Sequence, residues 1–296
     1  MPSFDHPKRL RFVITLGTAD FDSKGNNQIT LEGFRATADV ALAGGLQMGE
    51  LRARIYGVKE SDMNAITSFA YRFGEAELNT CVVYAIDGPT ETLIFAGNII
   101  TAWPDFNSVP DVFLHIQAQA AFFNLIKGCP PLSFKGDIDV AEVCRQLAAS
   151  MGYSFENNGV SAKLTDVYLG NTALEQLKDI TRQAGIDFYI DGKVLAITPR
   201  NTPRDQAGDM PLVNASTGLV GYPMFDGTYL TLSTLHNPAI TPGASIKVES
   251  SRARASGIWQ VLSMSHRLES EKPGGAWFTT VRCMADIRTI TGKITP

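Results

Sequence analysis

Val140-Ala141-Glu142-Val143-Cys144-Arg145-Gln146-Leu147 runs on to Gly152 and Tyr153-Ser154-Phe155. The same pattern returns as Ala173-Leu174-Glu175-Gln176-Leu177-Lys178-Asp179-Ile180, then Gly185 and Ile186-Asp187-Phe188-Tyr189. The two copies are offset by about 33 residues throughout, with Val140 falling on Ala173 and Gly152 on Gly185. Apolar residues recur at i, i+3, i+4 and i+7 in the first copy and at i, i+1, i+4 and i+7 in the second, both one-sided helical spacings, and the glycine can adopt the left-handed conformation that closes a helix. An aromatic-rich strand comes after each glycine. In the second copy Asp191-Gly192 turns the chain as a hairpin into Val194-Leu195-Ala196-Ile197. A solenoid needs about three units, so two copies predict one compact α+β domain over residues 132–200.

Outward from this domain, both flanks read as β structure. Before it, glycine-punctuated apolar runs predict strands at residues 11–16, 33–42, 50–56, 80–86 and 92–100, with a capped helical turn at Ser61-Asp62-Met63-Asn64-Ala65-Ile66. The glycine-rich stretch from Gly44 to Gly49 would cradle phosphate only if it led into a helix. It leads instead into Leu51-Arg52-Ala53-Arg54-Ile55-Tyr56, which alternates as a strand does, so the stretch reads as a hairpin loop. After the domain, Asn201-Thr202-Pro203-Arg204-Asp205-Gln206-Ala207-Gly208 is polar and rich in breakers, a linker. Strands are then predicted at 228–235, 245–249, 258–268 and 276–284, the last two joined by Pro273-Gly274-Gly275. The expected fold is mainly β with α+β: a first β-barrel domain over residues 1–110, an α+β domain with a helix-strand repeat over 111–200, a linker over 201–208, and a second β-barrel domain over 209–296. Gly57, Gly221 and Gly243 are the expected turn glycines at barrel corners.

Composition narrows the function. Charged residues make up 19%, below the roughly 25% of an average soluble domain, which suggests a surface partly covered by partners. Lys and Arg number 26 against 30 Asp and Glu, with no long run of either sign, so electrostatic nucleic-acid binding is not indicated, and no sequence-specific nucleic-acid partner is expected. Lys8, Arg9 and Arg11, with Arg252 and Arg254, read as solvated or interface charges. Cys81, Cys129, Cys144 and Cys283 form no metal-type spacing with the histidines and are expected as reduced thiols. No export signal and no membrane span is read in the chain.

Chemistry-bearing motifs are absent from the sequence: there is no nucleophile elbow, P-loop, dinucleotide fingerprint, H-E-x-x-H or calcium loop. His6, His115, His236 and His266 are scattered singly, and a hydrogen-bonded structural role is expected for His266 rather than a general base. Glu142 and Glu175 sit on the repeat helices, and Asp137 and Asp139 flank Ile138; each reads as structural, although a glycosidase would need such a carboxylate pair. Trp259 and Trp277 lie on the two arms of the last hairpin. They are expected as facing core rings, with a sugar platform as the other use of such residues. No catalytic, cofactor-binding or metal-binding residue is assigned, and no cofactor is expected.

Three stretches resemble a known family. Ala53-Arg54-Ile55-Tyr56-Gly57-Val58 with Met63-Asn64 after it is similar to the first-barrel segment of the baseplate central hub proteins of contractile-tailed bacteriophages. Gly218-Leu219-Val220-Gly221-Tyr222-Pro223, continuing through Leu235-His236-Asn237-Pro238 to Pro242-Gly243, resembles the start of their second barrel. Gly257-Ile258-Trp259-Gln260-Val261, with His266, Leu268, Ser270 and Trp277, is similar to their closing hairpin. That family is related in fold to the upper part of type VI secretion spike proteins.

The resemblance implies a non-enzymatic, structural homotrimer at the tail tip. Three chains with two barrels each would form a pseudo-six-fold ring joining the six-fold tail tube to the three-fold central spike. The implied partners are the chain itself, tail tube or tube-initiator proteins, the spike protein and surrounding baseplate proteins, with DNA passing through the ring and no membrane contact. Its implied place is the virion tail baseplate, after synthesis and assembly in the host bacterial cytoplasm. No spike or lysozyme extension is read after the second barrel, which leaves puncturing or lysis to another subunit. The α+β domain is expected to project from the ring and to be removable without loss of assembly. A tail-associated peptidoglycan hydrolase is the alternative function, and a secretion-ring module is a third reading of the repeat.

Overall fold

A computed structural model describes residues 6–45, 47–68, 78–107, 109–205 and 208–286. Its first β block comprises β1 (Lys8–Thr15), β2 (Gln28–Glu32), β3 (Ala36–Ala43), β4 (Glu50–Tyr56), α1 (Glu60–Ile66), β5 (Thr80–Asp87), β6 (Thr90–Asp105) and β7 (Phe113–Gln119). The middle of the chain forms α2 (Phe122–Ile126), β8 (Leu132–Ser133), β9 (Asp137–Asp139), α3 (Val140–Met151), β10 (Ser154–Asn157), β11 (Lys163–Thr165), β12 (Tyr168–Leu169), α4 (Ala173–Ala184), β13 (Ile186–Asp191) and β14 (Val194–Pro199). The second β block contains β15 (Leu212–Val213), β16 (Leu219–Asp226), β17 (Tyr229–Leu235), β18 (Ser245–Val248), β19 (Gly257–Ser270) and β20 (Trp277–Ala285).

Alternation decides which face of each strand is buried. Leu10, Phe12 and Ile14 of β1 point inward, as do Leu51, Ala53 and Ile55 of β4, while Arg52 and Arg54 face out. The strands of both blocks join one sheet in the order β16-β17-β20-β19-β3-β4-β7-β6-β5-β1-β2, with β18 on β19 and β15 on β18. No closed barrel is formed among the described residues. The join is made by β19, a strand long enough to serve two neighbours on one side. Its first residues pair with β18, Ser245 opposite Gln260, and its later residues pair with β3, from Ser263 opposite Ala43 to Ser270 opposite Ala36. A single apolar core runs beneath both blocks, from Leu10 and Phe12 to Trp277 and Cys283.

The middle of the chain has its own core, built from Val143, Leu147, Leu174, Leu177, Ile180, Leu195 and Ile197 among others. Helices α3 and α4 start at equivalent repeat positions and end at the equivalent glycines, Gly152 at φ 79° and Gly185 at φ 64°. Each has a side-chain N-cap: Asp139 accepts from the Ala141 amide and Thr172 from the Glu175 amide. The strands after the two helices meet through β14, which runs parallel to β10 and antiparallel to β13.

Several sequence expectations need correction. Strand β7 pairs with β4 and β6, so the large sheet extends into the stretch that sequence pattern groups with the helices. Strands β2 and β16 lie outside the expected set, because Gln28–Glu32 is short and polar and Gly221 and Pro223 interrupt the pattern of β16. Helix α1 has no side-chain cap. The hairpin loop between β3 and β4 is as expected at its described residues, while Leu46, with Gln206 and Ala207 of the expected linker and the residues from 287 onward, lies outside the described residues.

Candidate functional site

Two histidines that are far apart in sequence are brought together in a buried position. His236 and His266 meet edge-on with ring centroids 5.0 Å apart, and Thr279 sits between them, its Oγ1 2.8 Å from His266 Nδ1 and 3.4 Å from His236 Nδ1. In the sequence these histidines stand isolated; strand pairing makes them neighbours. Burial pushes His236 down to about 4, with Asp87 opposing the shift and Lys8 reinforcing it, and pushes His266 down to about 3, so both are neutral near pH 7. His115 stacks on Trp103 at 4.1 Å, and burial together with the nearby Arg54 charge lowers its pKa.

Among the described residues, no group of three or more His, Cys, Asp or Glu side chains is placed to hold a metal ion. Nor is any helix there long and apolar enough to cross a membrane. The carboxylates serve local structure. Glu142 accepts from Arg145 and Gln146, which lower its pKa, opposite to the shift a protonated glycosidase acid requires. Glu175 accepts from Lys178, Asp137 from Thr165, and Asp139 caps α3. Cys81, Cys144 and Cys283 are buried free thiols pushed up to about 12 by desolvation, and Cys129 is a half-buried free thiol.

The tryptophans do not face each other. Across the hairpin Trp259 stands opposite Ala285 and Trp277 opposite Leu268, so the rings lie toward opposite ends of the paired strands. Both are buried, which leaves no stacking platform for a sugar: Trp259 donates its Nε1–H to the Ala255 carbonyl at 3.0 Å, and Trp277 packs edge-on against His236. Gly57 comes directly after β4 with φ +76°. Gly221 has φ +69° inside a bulge of β16, where pairing with β17 breaks between Val220 and Met224. Gly243 combines φ +83° with a close approach to the Tyr189 ring.

Two surfaces are shaped for contact. The outward face of β4, β3, β19 and β20 is polar and carries a groove of about 650 Å³ lined by Arg52, Asp39, Arg267, Ser265, Thr280 and Phe278. Arg52, Asp39, Arg267 and Phe278 occupy one cross-strand row of that face. At the end of the sheet, β16 exposes Val220, Tyr222, Met224 and Phe225; Pro223 and the bulge blunt its free edge, and Arg252 stacks on Tyr222. Sequence pattern alone misses this patch because the bulge removes the alternation that marks a strand.

A family model for baseplate hub gp41 matches residues 77–279. No curated protein matches the chain. Among solved structures, the tail protein from Neisseria meningitidis MC58 is 11% identical with a TM-score of 0.64, covering 94% of this chain and 96% of that one. The 43 kDa tail protein of prophage MuSo2 from Shewanella oneidensis is 10% identical with a TM-score of 0.62, covering 93% and 97%. The E. coli c3393 protein is a component of the type VI secretion system with structural similarity to T4 bacteriophage tail proteins gp27 and gp5. It is 9% identical with a TM-score of 0.56, covering 85% of this chain and 73% of its own. At such identities the likeness is one of fold.

Proposed function

The chain belongs to the baseplate hub gp41 family, a structural component of phage tails, and from that premise we propose that three copies close into a ring joining the tail tube to the central spike of a contractile tail. What supports this reading is the continuous sheet of the single chain, which unites its two β blocks and ends in β16 on one side and β2 on the other. A sheet with two ends is covered most economically by neighbouring copies in a closed cycle, which leaves no open-ended pairing. Two blocks per chain supply six related docking surfaces on a three-fold ring, the number a six-fold tube requires.

The exposed apolar side chains of β16 suit a subunit contact, and the proposed partners beyond the chain itself are tube or tube-initiator, spike and surrounding baseplate proteins. Its role is non-enzymatic in this reading, which is supported by the neutral, buried His236–His266 pair and by the engagement of Asp139 in a helix cap and of Glu142 in an ion pair. Imaging purified tails at low resolution tests the arrangement: three copies at the tail tip are expected, and two or six would overturn it. Robust peptidoglycan hydrolysis by the purified chain would overturn the non-enzymatic role.

A further inference from the structure

The ring of Tyr189, carried by β13 of the α+β domain, lies between two glycines that belong to different β blocks. A Cβ on Gly44 would fall 2.2 Å from Tyr189 Cε1 and 2.5 Å from Cδ1, and one on Gly243 would fall 2.7 Å from Cε2 and Cζ. Gly44 comes directly after β3, and Ala43 opens the β3–β19 pairing opposite Ser263. Gly243 is tied to the same end of that pairing, its N–H donating to the Val261 carbonyl of β19 at 2.9 Å. The phenol, only 5% exposed, therefore sits at the end of the seam between the blocks.

Polar contacts hold it there. The Gly45 N–H donates to the Phe188 carbonyl at 2.8 Å, and the Arg204 N–H to the Gly243 carbonyl at 2.8 Å. The Arg204 guanidinium bridges Glu156 and Asp191 of the α+β domain, and Gln260 Nε2 donates to the Thr202 and Gly243 carbonyls. Gly44 lies outside the left-handed region, so its need for glycine comes from the ring and not from its backbone.

From this geometry we infer that the α+β domain is the keystone of the joint between the two β blocks, with Tyr189 as the positioning residue. Strands paired along a single seam can still twist and flex about it, and a rigid aromatic wedge shared by both sides removes that freedom. The domain is then not a removable projection: without it, Gly44 and Gly243 face a vacated slot and the blocks lose their fixed angle. The inference concerns the single chain and stands or falls independently of ring formation.

Hydrogen exchange on the full chain tests it, using Gly44→Ala, Tyr189→Ala and the double variant. Each single change is expected to accelerate exchange of the seam amides in β3 and β19 by roughly tenfold or more. In the Tyr189→Ala background, adding Gly44→Ala should change nothing, because the clashing ring is gone. Equal effects of Gly44→Ala in both backgrounds would overturn the inference, and so would a Tyr189→Ala effect confined to the α+β domain. If Gly44→Ala alone does not fold, the double variant decides: it must fold and exchange like Tyr189→Ala, and failure to do so refutes the keystone.

Discussion

At His236 and His266, the surrounding β structure sets the proton affinity. Their folded values of about 4 and about 3 lie below the ordinary 6.5, so the unfolded chain binds more protons than the native one as pH falls below 6.5. Stability is therefore full above about 6.5 and is lost as pH falls through the folded values. Glu156 and Glu269, whose pKa values lie below the ordinary 4.5, add their own loss only at lower pH, which leaves the window from 6.5 to 4.5 to the histidines. Thermal melts at steps across that window should show a loss on the order of a few kcal/mol, largely removed in a His236→Gln/His266→Gln double variant. Trp277 belongs to the same buried cluster, and truncation to Ala should cost about 3–5 kcal/mol in a denaturant titration. Sequence identifies Trp277 as a core residue from its strand, yet not its histidine neighbour, which arrives from 41 positions away by pairing of β17 with β20.

Elements whose signals are local are legible. The two repeat helices carry their cap, their apolar stripe and their closing glycine within a few residues of chain, and each device acts on the helix that contains it. Asp139→Ala should remove the cap of α3 and lower stability by about 1 kcal/mol, read as a thermal shift, with helical circular dichroism nearly unchanged. The strap at Arg204 spans elements instead. Its side chain is 10% exposed and holds Glu156 on β10 and Asp191 at the end of β13, although it lies in a segment that reads as a polar linker. Arg204→Ala should cost about 1–3 kcal/mol at neutral pH. Arg204 lowers the pKa of Glu156, so this cost should shrink as pH falls through that lowered value.

For the whole molecule, the strand order brings the proposed assembly within reach of surface variants. Tyr222 and Met224 are exposed, 64% and 66%, so Tyr222→Asp and Met224→Asp should leave the melting curve of the single chain nearly unchanged. Sedimentation of the same variants should show a reduced ring fraction if β16 forms the subunit contact, since apolar and aromatic anchors dominate such interfaces. Unaltered ring formation by both would move the contact to another surface.

Periodicity and glycine placement were enough to read the order of strand-rich and helix-containing stretches along the chain and the repeated helix, because those properties are carried by neighbours in sequence. The seam between β3 and β19, the meeting of His236 with His266, the separation of Trp259 from Trp277 and the seat of Tyr189 between Gly44 and Gly243 depend on strand register and domain docking. Register shifts every side chain by whole residues across strands far apart in the chain, and no local pattern encodes which distant strand will be the partner. A glycine that clears a turn and one that clears another domain's ring read alike in sequence; only packing tells them apart.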